Sequence, residues 1–301
     1  MTFRGIWRKC AIAALFFGAV GCSRTSDTGA VEAQKTQTTS PIASVPGPNT
    51  STPPVALDPK LHQPFEEACT NELNKDLPLE LPPNLTLTGK NCGLLNDSVA
   101  KIWDQIKFVD ENGKRQTYVA ELEVVAGDVE LGTIELLMQP DIAPNHVRNF
   151  VALATLQYYD GLRFDRIVEQ DYKTDDGQSG KLSLVEAGSP TEAAEPERSH
   201  LGYWVKPEFD PSVKHEEGSV GACLLACEGN EETAAVRFYI SLTPAPAMDG
   251  NFTIFAKVTK GLDVAKRIAQ QPHGTEPGPD QGRPKQPITI RKVTMHQASV
   301  Q

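Results

Sequence analysis

Arg166 is the side chain in this 301-residue chain best placed to do chemistry. It stands within Phe164-Asp165-Arg166-Ile167-Val168, on strand-like sequence between apolar neighbours, where a buried cation needs a reason. Period-2 alternation sets Phe164, Arg166 and Val168 on one side and Asp165 and Ile167 on the other. A guanidinium stays protonated and presents a planar fork of donors, so a fixed one in a dry setting can stabilise electron density that develops during a reaction. The sequence carries no Gly-x-Ser-x-Gly or His-Glu-x-x-His motif. Gly89-Lys90 lacks the first glycine and the Ser/Thr of a phosphate loop, and Asp175-Asp176-Gly177 lacks the further spacing of a calcium loop. The six histidines are scattered, so neither a metal nor a cofactor is expected. A formal net charge of −10 gives no basic footprint for nucleic acid.

The elements that must position Arg166 read as strands broken by two helices. Gly132, Ile134, Leu136 and Met138 alternate as a half-buried strand, and Pro140-Asp141 ends it. Pro144 suits a first helical turn, after which Val147, Phe150, Val151 and Ala154 share one face. Asp160-Gly161 marks a turn before the Arg166 strand. The pattern predicts strands over 118–126, 129–138, 162–168, 181–186, 218–224, 236–242, 252–259 and 287–296, with helices over 144–157 and 262–270. Upstream, Phe65 to Asn74 reads as a short helix. Val99, Ile102, Trp103 and Ile106 form an amphipathic face that is expected to dock on the strand-rich part.

The order and spacing of these pieces resemble the cyclophilin family of peptidyl-prolyl cis-trans isomerases. The resemblance rests on Gly132-Thr133-Ile134, Ala143-Pro144, Asn149-Phe150-Val151, Tyr158-Tyr159-Asp160-Gly161 and Phe164-x-Arg166-Ile167-Val168. It continues through Glu186-Ala187-Gly188-Ser189-Pro190, Lys214-His215-x-x-Gly218, Phe238-Tyr239-Ile240, Met248-Asp249-Gly250 and Phe255-Ala256-Lys257-Val258. It implies a mainly β fold, a closed eight-stranded antiparallel barrel capped by two helices, over residues 118–298, with 59–117 as a small helical extension.

The implied reaction is rotation about an X-Pro amide, whose barrier is about 18–20 kcal/mol. Arg166 matches the family's catalytic arginine and would donate to the prolyl nitrogen as the carbonyl twists out of conjugation. Leu184, Glu186, Cys223, Phe238, Tyr239, Met248 and Phe252 fall at substrate-binding positions. Several residues depart from the family pattern. Ser183 replaces an aromatic, Glu186 and Arg237 replace neutral amides, Ala247 stands where many members have Trp, and Leu224 where Asn is frequent. Glu186 has two courses: to pair with Arg166, or to pair with Arg237 and leave Arg166 for substrate. These departures keep open a second reading, a proline-peptide-binding or chaperone module of low turnover. Gln170–Gly180 and Leu224–Ala235 read as polar loop insertions that alter substrate contacts.

The first residues stand outside this resemblance. Arg4, Arg8 and Lys9 precede the apolar run Ala11–Val20, too short to span a bilayer as an ordinary helix, so 1–21 reads as an export signal. Ala19-Val20-Gly21-Cys22 resembles a bacterial lipobox, implying lipidation of Cys22 and a chain tethered to the outer face of a membrane in the bacterial envelope or periplasm. Residues 22–58, rich in Ser, Thr and Pro, are expected to form a flexible tether. With Cys10 and Cys22 set aside, an even four cysteines remain, and export suggests disulfides Cys69–Cys92 and Cys223–Cys227, although other pairings are open. The expected partners are proline-containing segments of exported proteins, met by a monomer.

Overall fold

The computed structural model describes residues 61–71, 82–173, 177, 179–192, 199–224, 233–276 and 280–299. Cys22, Cys227 and most of the expected Leu224–Ala235 insertion lie outside the described residues.

Eight strands carry the domain: β2 (Gln116–Ala126), β3 (Val129–Met138), β4 (Arg163–Lys173), β5 (Ser179–Ala187), β7 (Ser219–Leu224), β8 (Thr233–Ser241), β9 (Ile254–Lys260) and β10 (Ile288–Ser299). Two-residue strands β1 (Cys69–Thr70) and β6 (Trp204–Val205) extend the sheet beyond β8. The order is β1-β6-β8-β5-β4-β10-β2-β3-β9-β7, and β7 also pairs with β8. Every pairing between these strands is antiparallel. The β2–β3 hairpin turns through Gly127-Asp128, where glycine takes φ 57°.

Among the described residues, four helices accompany the sheet: α1 (Phe65–Ala68), α2 (Cys92–Ile102), α3 (Pro144–Thr155) and α4 (Leu262–Ala269). Pro144 opens α3, and the Glu208 carboxylate accepts from the Asn145 and His146 backbone N–H groups at 3.1 and 2.9 Å. A carboxylate there satisfies donors that a helix start leaves without partners. Gly261, at φ 78°, precedes α4, and any Cβ on it would strike the Thr133 carbonyl.

The amphipathic segment docks as expected, with Val99 and Trp103 fully buried, but its partner is chiefly α3 rather than strands. The reason is Arg148. This α3 side chain is 1 % exposed, lies over the Trp103 and Phe108 rings at 5.5 and 4.9 Å, and donates to the Leu61 carbonyl at 2.7 Å. A cation buried among aromatic faces and carbonyls fastens Leu61, Trp103 and Phe108 to the domain. The expected 65–74 helix ends at Ala68, because Cys69-Thr70 join β6 instead.

The structure corrects two further expectations. Cys69 and Cys92 are not bridged: both are buried free thiols, Cys69 paired across to Val205 and Cys92 at the start of α2. Burial pushes the Cys92 thiol up to about 11 and Cys69 higher still, so each behaves as a small apolar side chain. Cys223 is also a buried free thiol. An even count of cysteines fixes no geometry, and apolar packing accounts for these three. The second correction concerns the insertion at Gln170–Gly180, read as a polar loop. β4 and β5 instead run on as a paired hairpin from Glu169↔Ser183 to Lys173↔Ser179.

Candidate active site

A bulge sets the direction of Arg166. Phe164 pairs with Ala187 and Arg166 with Glu186, so Asp165 is an extra residue in the ladder. Alternation therefore fails at this point. Phe164 and Ile167 enter the main core, while Val168 joins a second apolar cluster together with Leu182, Leu184, Cys223, Tyr239, Ala245, Met248 and Phe252. Asp165 does not share the main-core side with Ile167 as alternation predicts: its carboxylate meets the guanidinium of Arg237 on β8.

Arg237 is the centre of a buried charge cluster. Its Nη2 donates to Asp165 Oδ1 and to Glu186 Oε2, each at 2.6 Å, and all three side chains are 1–3 % exposed. Asp165 Oδ2 also accepts from the Ser189 backbone N–H at 3.0 Å. Burial would lower the Arg237 pKa, but Asp165 and then Glu186 outweigh it and hold that guanidinium far above its ordinary value. For Asp165, burial raises the carboxyl pKa against the opposing pull of Arg237. The second Glu186 oxygen, Oε1, lies 3.8 Å from Arg166 Nη1. Glu186 thus shares its charge, with a short ion pair to Arg237 and a long one to Arg166. Among the described residues, two cations and two anions balance in this cluster.

The apolar cluster lies beside these charges and gathers five predicted positions: Leu184, Cys223, Tyr239, Met248 and Phe252. Phe238 does not join them. It packs in the main core against Phe150 and Tyr159. The cluster is closed rather than an open cleft: its members are 0–7 % exposed, with Tyr172 and Leu224 packed partly buried against it. The open space lies on the other side of Arg166. A cavity of about 280 Å³ there is lined by Arg166 to Gln170 on β4 and by His273, Gly274, Thr275, Gln281 and Gly282.

Sequence reasoning missed a hydrogen-bonded chain behind the apolar cluster. His215 Nδ1 lies 3.1 Å from Asp249 Oδ1, and its Nε2 lies 2.8 Å from the Tyr239 hydroxyl. Asp249 can only accept from Nδ1–H, so Nε2 accepts from the Tyr239 O–H. Lys214 Nζ faces the same carboxylate at 3.4 Å. The hydroxyl that distinguishes Tyr239 from phenylalanine is thus turned toward His215, away from the apolar surface. Gly221 makes room for it, since a Cβ there would run into the Tyr239 hydroxyl and ring. Gly221→Ala is expected to lose activity and stability, and the double change with Tyr239→Phe to recover part of both. Equal damage in single and double variants would contradict this coupling.

Burial lowers the His215 pKa from its ordinary 6.5, against the opposing pull of Asp249. A base with a depressed folded-state pKa contributes stability that is complete above the unfolded value and drains as pH falls below it. Between about pH 7.5 and about pH 5, the Tm of the wild type should therefore fall further than that of His215→Gln. Each tenfold loss of proton affinity on folding corresponds to about 1.4 kcal/mol at the acid end. Parallel pH profiles would refute the assignment.

The model of the family described as "Cyclophilin type peptidyl-prolyl cis-trans isomerase/CLD" matches residues 122–295. Among curated proteins, the chain is 32 % identical over 151 residues to the "Peptidyl-prolyl cis-trans isomerase-like 1" of Rhizopus delemar, covering 50 % of this chain and 82 % of that one. It is 31 % identical over 155 residues to the protein of the same name from Neurospora crassa, covering 52 % and 86 %. Among solved structures it is similar to a cyclophilin type peptidyl-prolyl cis-trans isomerase from Cryptosporidium parvum, at 16 % identity and TM-score 0.46, covering 60 % of this chain and 98 % of that one.

Proposed function

This chain belongs to the cyclophilin type peptidyl-prolyl cis-trans isomerase family, and from that premise we propose that Arg166 accelerates X-Pro rotation in exported proteins. The eight-strand succession, brought back on itself by the β7–β8 pairing, is read as the closed barrel that carries the site. The proline ring packs on the Tyr239, Met248 and Phe252 side of the apolar cluster. Tyr172 and Leu224, which are only half-buried over it, give way as the ring enters. Arg166 then donates to the prolyl nitrogen, whose lone pair becomes available as the amide twists. The donation strengthens in the transition state and is enhanced by the exclusion of water. No bond to the enzyme forms and no proton is transferred.

One observation carries this reading: Arg237 takes one Glu186 oxygen at 2.6 Å, while Arg166 is left the other at 3.8 Å. A carboxylate replacing a neutral amide would otherwise lock the reacting guanidinium. The test is an isomerisation assay on an Ala-Pro-containing peptide with the full chain. Catalysis is seen as exchange faster than the uncatalysed scale of roughly tens to hundreds of seconds. Peptide binding without acceleration selects the binding-module reading, which Ser183 and the residual Glu186–Arg166 attraction favour. Neither binding nor acceleration refutes both.

The sequence before the described residues supports lipid anchoring through Cys22 at the cell-envelope membrane. Cys22→Ser should shift the chain from the membrane to the soluble fraction. A wild-type chain that is already soluble would contradict anchoring.

A further inference from the structure

The strand that presents Arg166 continues outward beside the apolar cluster, and its row of cross-strand pairs includes three members of that cluster, Val168, Leu182 and Leu184. Cross-strand partners in an antiparallel pair share a face, so Arg166/Glu186, Val168/Leu184, Gln170/Leu182 and Tyr172/Gly180 form one row. From Arg166 to Gln170 that row runs about 13 Å at roughly 3.3 Å per residue, the length of about four residues of an extended peptide. The 280 Å³ cavity lies along this stretch, with β4 from Arg166 to Gln170 as one wall.

The opposite wall is the pair of segments around His273 and Gln281, which the chain builds tightly. Gly274 pairs with Gln281, its N–H donates to the Arg283 carbonyl at 3.0 Å, and Gly282 N–H donates to the Gly274 carbonyl at 2.8 Å. The wall is tied to the Arg166 strand through Ile167 N–H to the Gly282 carbonyl at 2.7 Å. Gly282 has φ 79°, and any Cβ on it would meet the Ile167 carbonyl and the Arg166 stem. The same glycine therefore lines the cavity and lets the backbone pass close to the Arg166 stem.

From this lining we infer a subsite for a neutral amide side chain, glutamine or asparagine, lying within three residues of the substrate proline. The inference rests on the reading of Arg166 as the group that meets the prolyl nitrogen. Gln170, Gln281 and Thr275 each offer both donors and acceptors. The His273 Nδ1 lies 2.9 Å from the Gln271 carbonyl, which can only accept, so Nδ1 donates there and Nε2 is the ring atom that can meet a ligand. Arg166 supplies donors at the inner end. Glu169, the one anion among the described lining residues, is paired with Lys181 at 3.3 Å. A lining that both donates and accepts, and whose one anion among the described residues is already paired with Lys181, complements an amide better than a carboxylate, an ammonium or an alkyl group.

The test uses the full chain and alanine-rich peptides with a single X-Pro bond, placing Gln, Glu, Lys or Leu in turn at the three positions on either side. Affinity and kcat/KM are both measured. At one position Gln should exceed Ala by about fivefold, the effect of one well-made hydrogen bond, while Glu, Lys and Leu should not. Gln170→Ala, Gln281→Ala and His273→Ala should each bring the Gln-to-Ala ratio down toward one. A flat scan, a preference for a charged residue, or a Gln preference that persists in all three variants overturns the subsite. Peptides bound without turnover would refute the isomerase reading alone, since the affinity ratio still decides the subsite. No binding of any peptide refutes both.

Discussion

Arg166→Ala is expected to lower kcat/KM on a proline peptide by about 10²–10³-fold, the scale on which removing a single transition-state donor acts. That loss corresponds to about 2.7–4 kcal/mol of a barrier of about 18–20 kcal/mol. The effect should fall mainly on kcat, because the ground-state amide nitrogen has its lone pair in conjugation and offers the guanidinium little. Peptide affinity, supplied by the apolar cluster and backbone contacts, should change far less. Circular dichroism should be unaltered, since the short ion pairs that hold Asp165 and Glu186 are those of Arg237. Arg166→Lys keeps the charge but loses the planar fork, and should recover little of the rate.

Arg237→Ala should be the most destabilising single change in the site. It leaves Asp165 and Glu186, each 3 % exposed, facing one another without their shared cation. Breaking a buried pair in this way costs about 3–5 kcal/mol, or a fall in Tm on the order of 10 °C for a domain of this size. Activity should fall as well. Glu186, no longer held through Oε2, would turn both oxygens on Arg166 and pull the guanidinium off the prolyl nitrogen. The triple change Asp165→Asn, Glu186→Gln, Arg237→Gln replaces ions by amides and should restore most of the stability. Thermal melts of the single and triple variants decide this. A single variant as stable as the wild type would show that the triad does not neutralise buried charge.

Much of the frame was legible because periodicity reports burial. The predicted 129–138 strand is β3 to the residue, and Pro144 does open α3. What escaped came from the third dimension. The Asp165 bulge is invisible to an alternation rule, and it is what separates Phe164 from Arg166 and sends Asp165 to Arg237. The hairpin beyond Gln170 looked like a loop because its outer face is polar, although Tyr172 packs opposite Gly180. Arg148 gave no local sign of burial. Its aromatic partners lie some forty residues upstream, and only packing brings them together. Tyr239 was recognised as an aromatic wall with an added hydroxyl, but its acceptor His215 could not be read from a strand that names no partner.

The central claim is that one guanidinium accelerates rotation on the enzyme itself, and two-dimensional NMR exchange on a proline peptide under saturating protein measures that step directly. With the wild type, cis and trans resonances of the bound peptide should interconvert orders of magnitude faster than the roughly tens-of-seconds scale of the free peptide, and with Arg166→Ala the peptide should remain bound while exchange collapses toward that scale. Equal bound-state exchange in the two proteins would contradict the account.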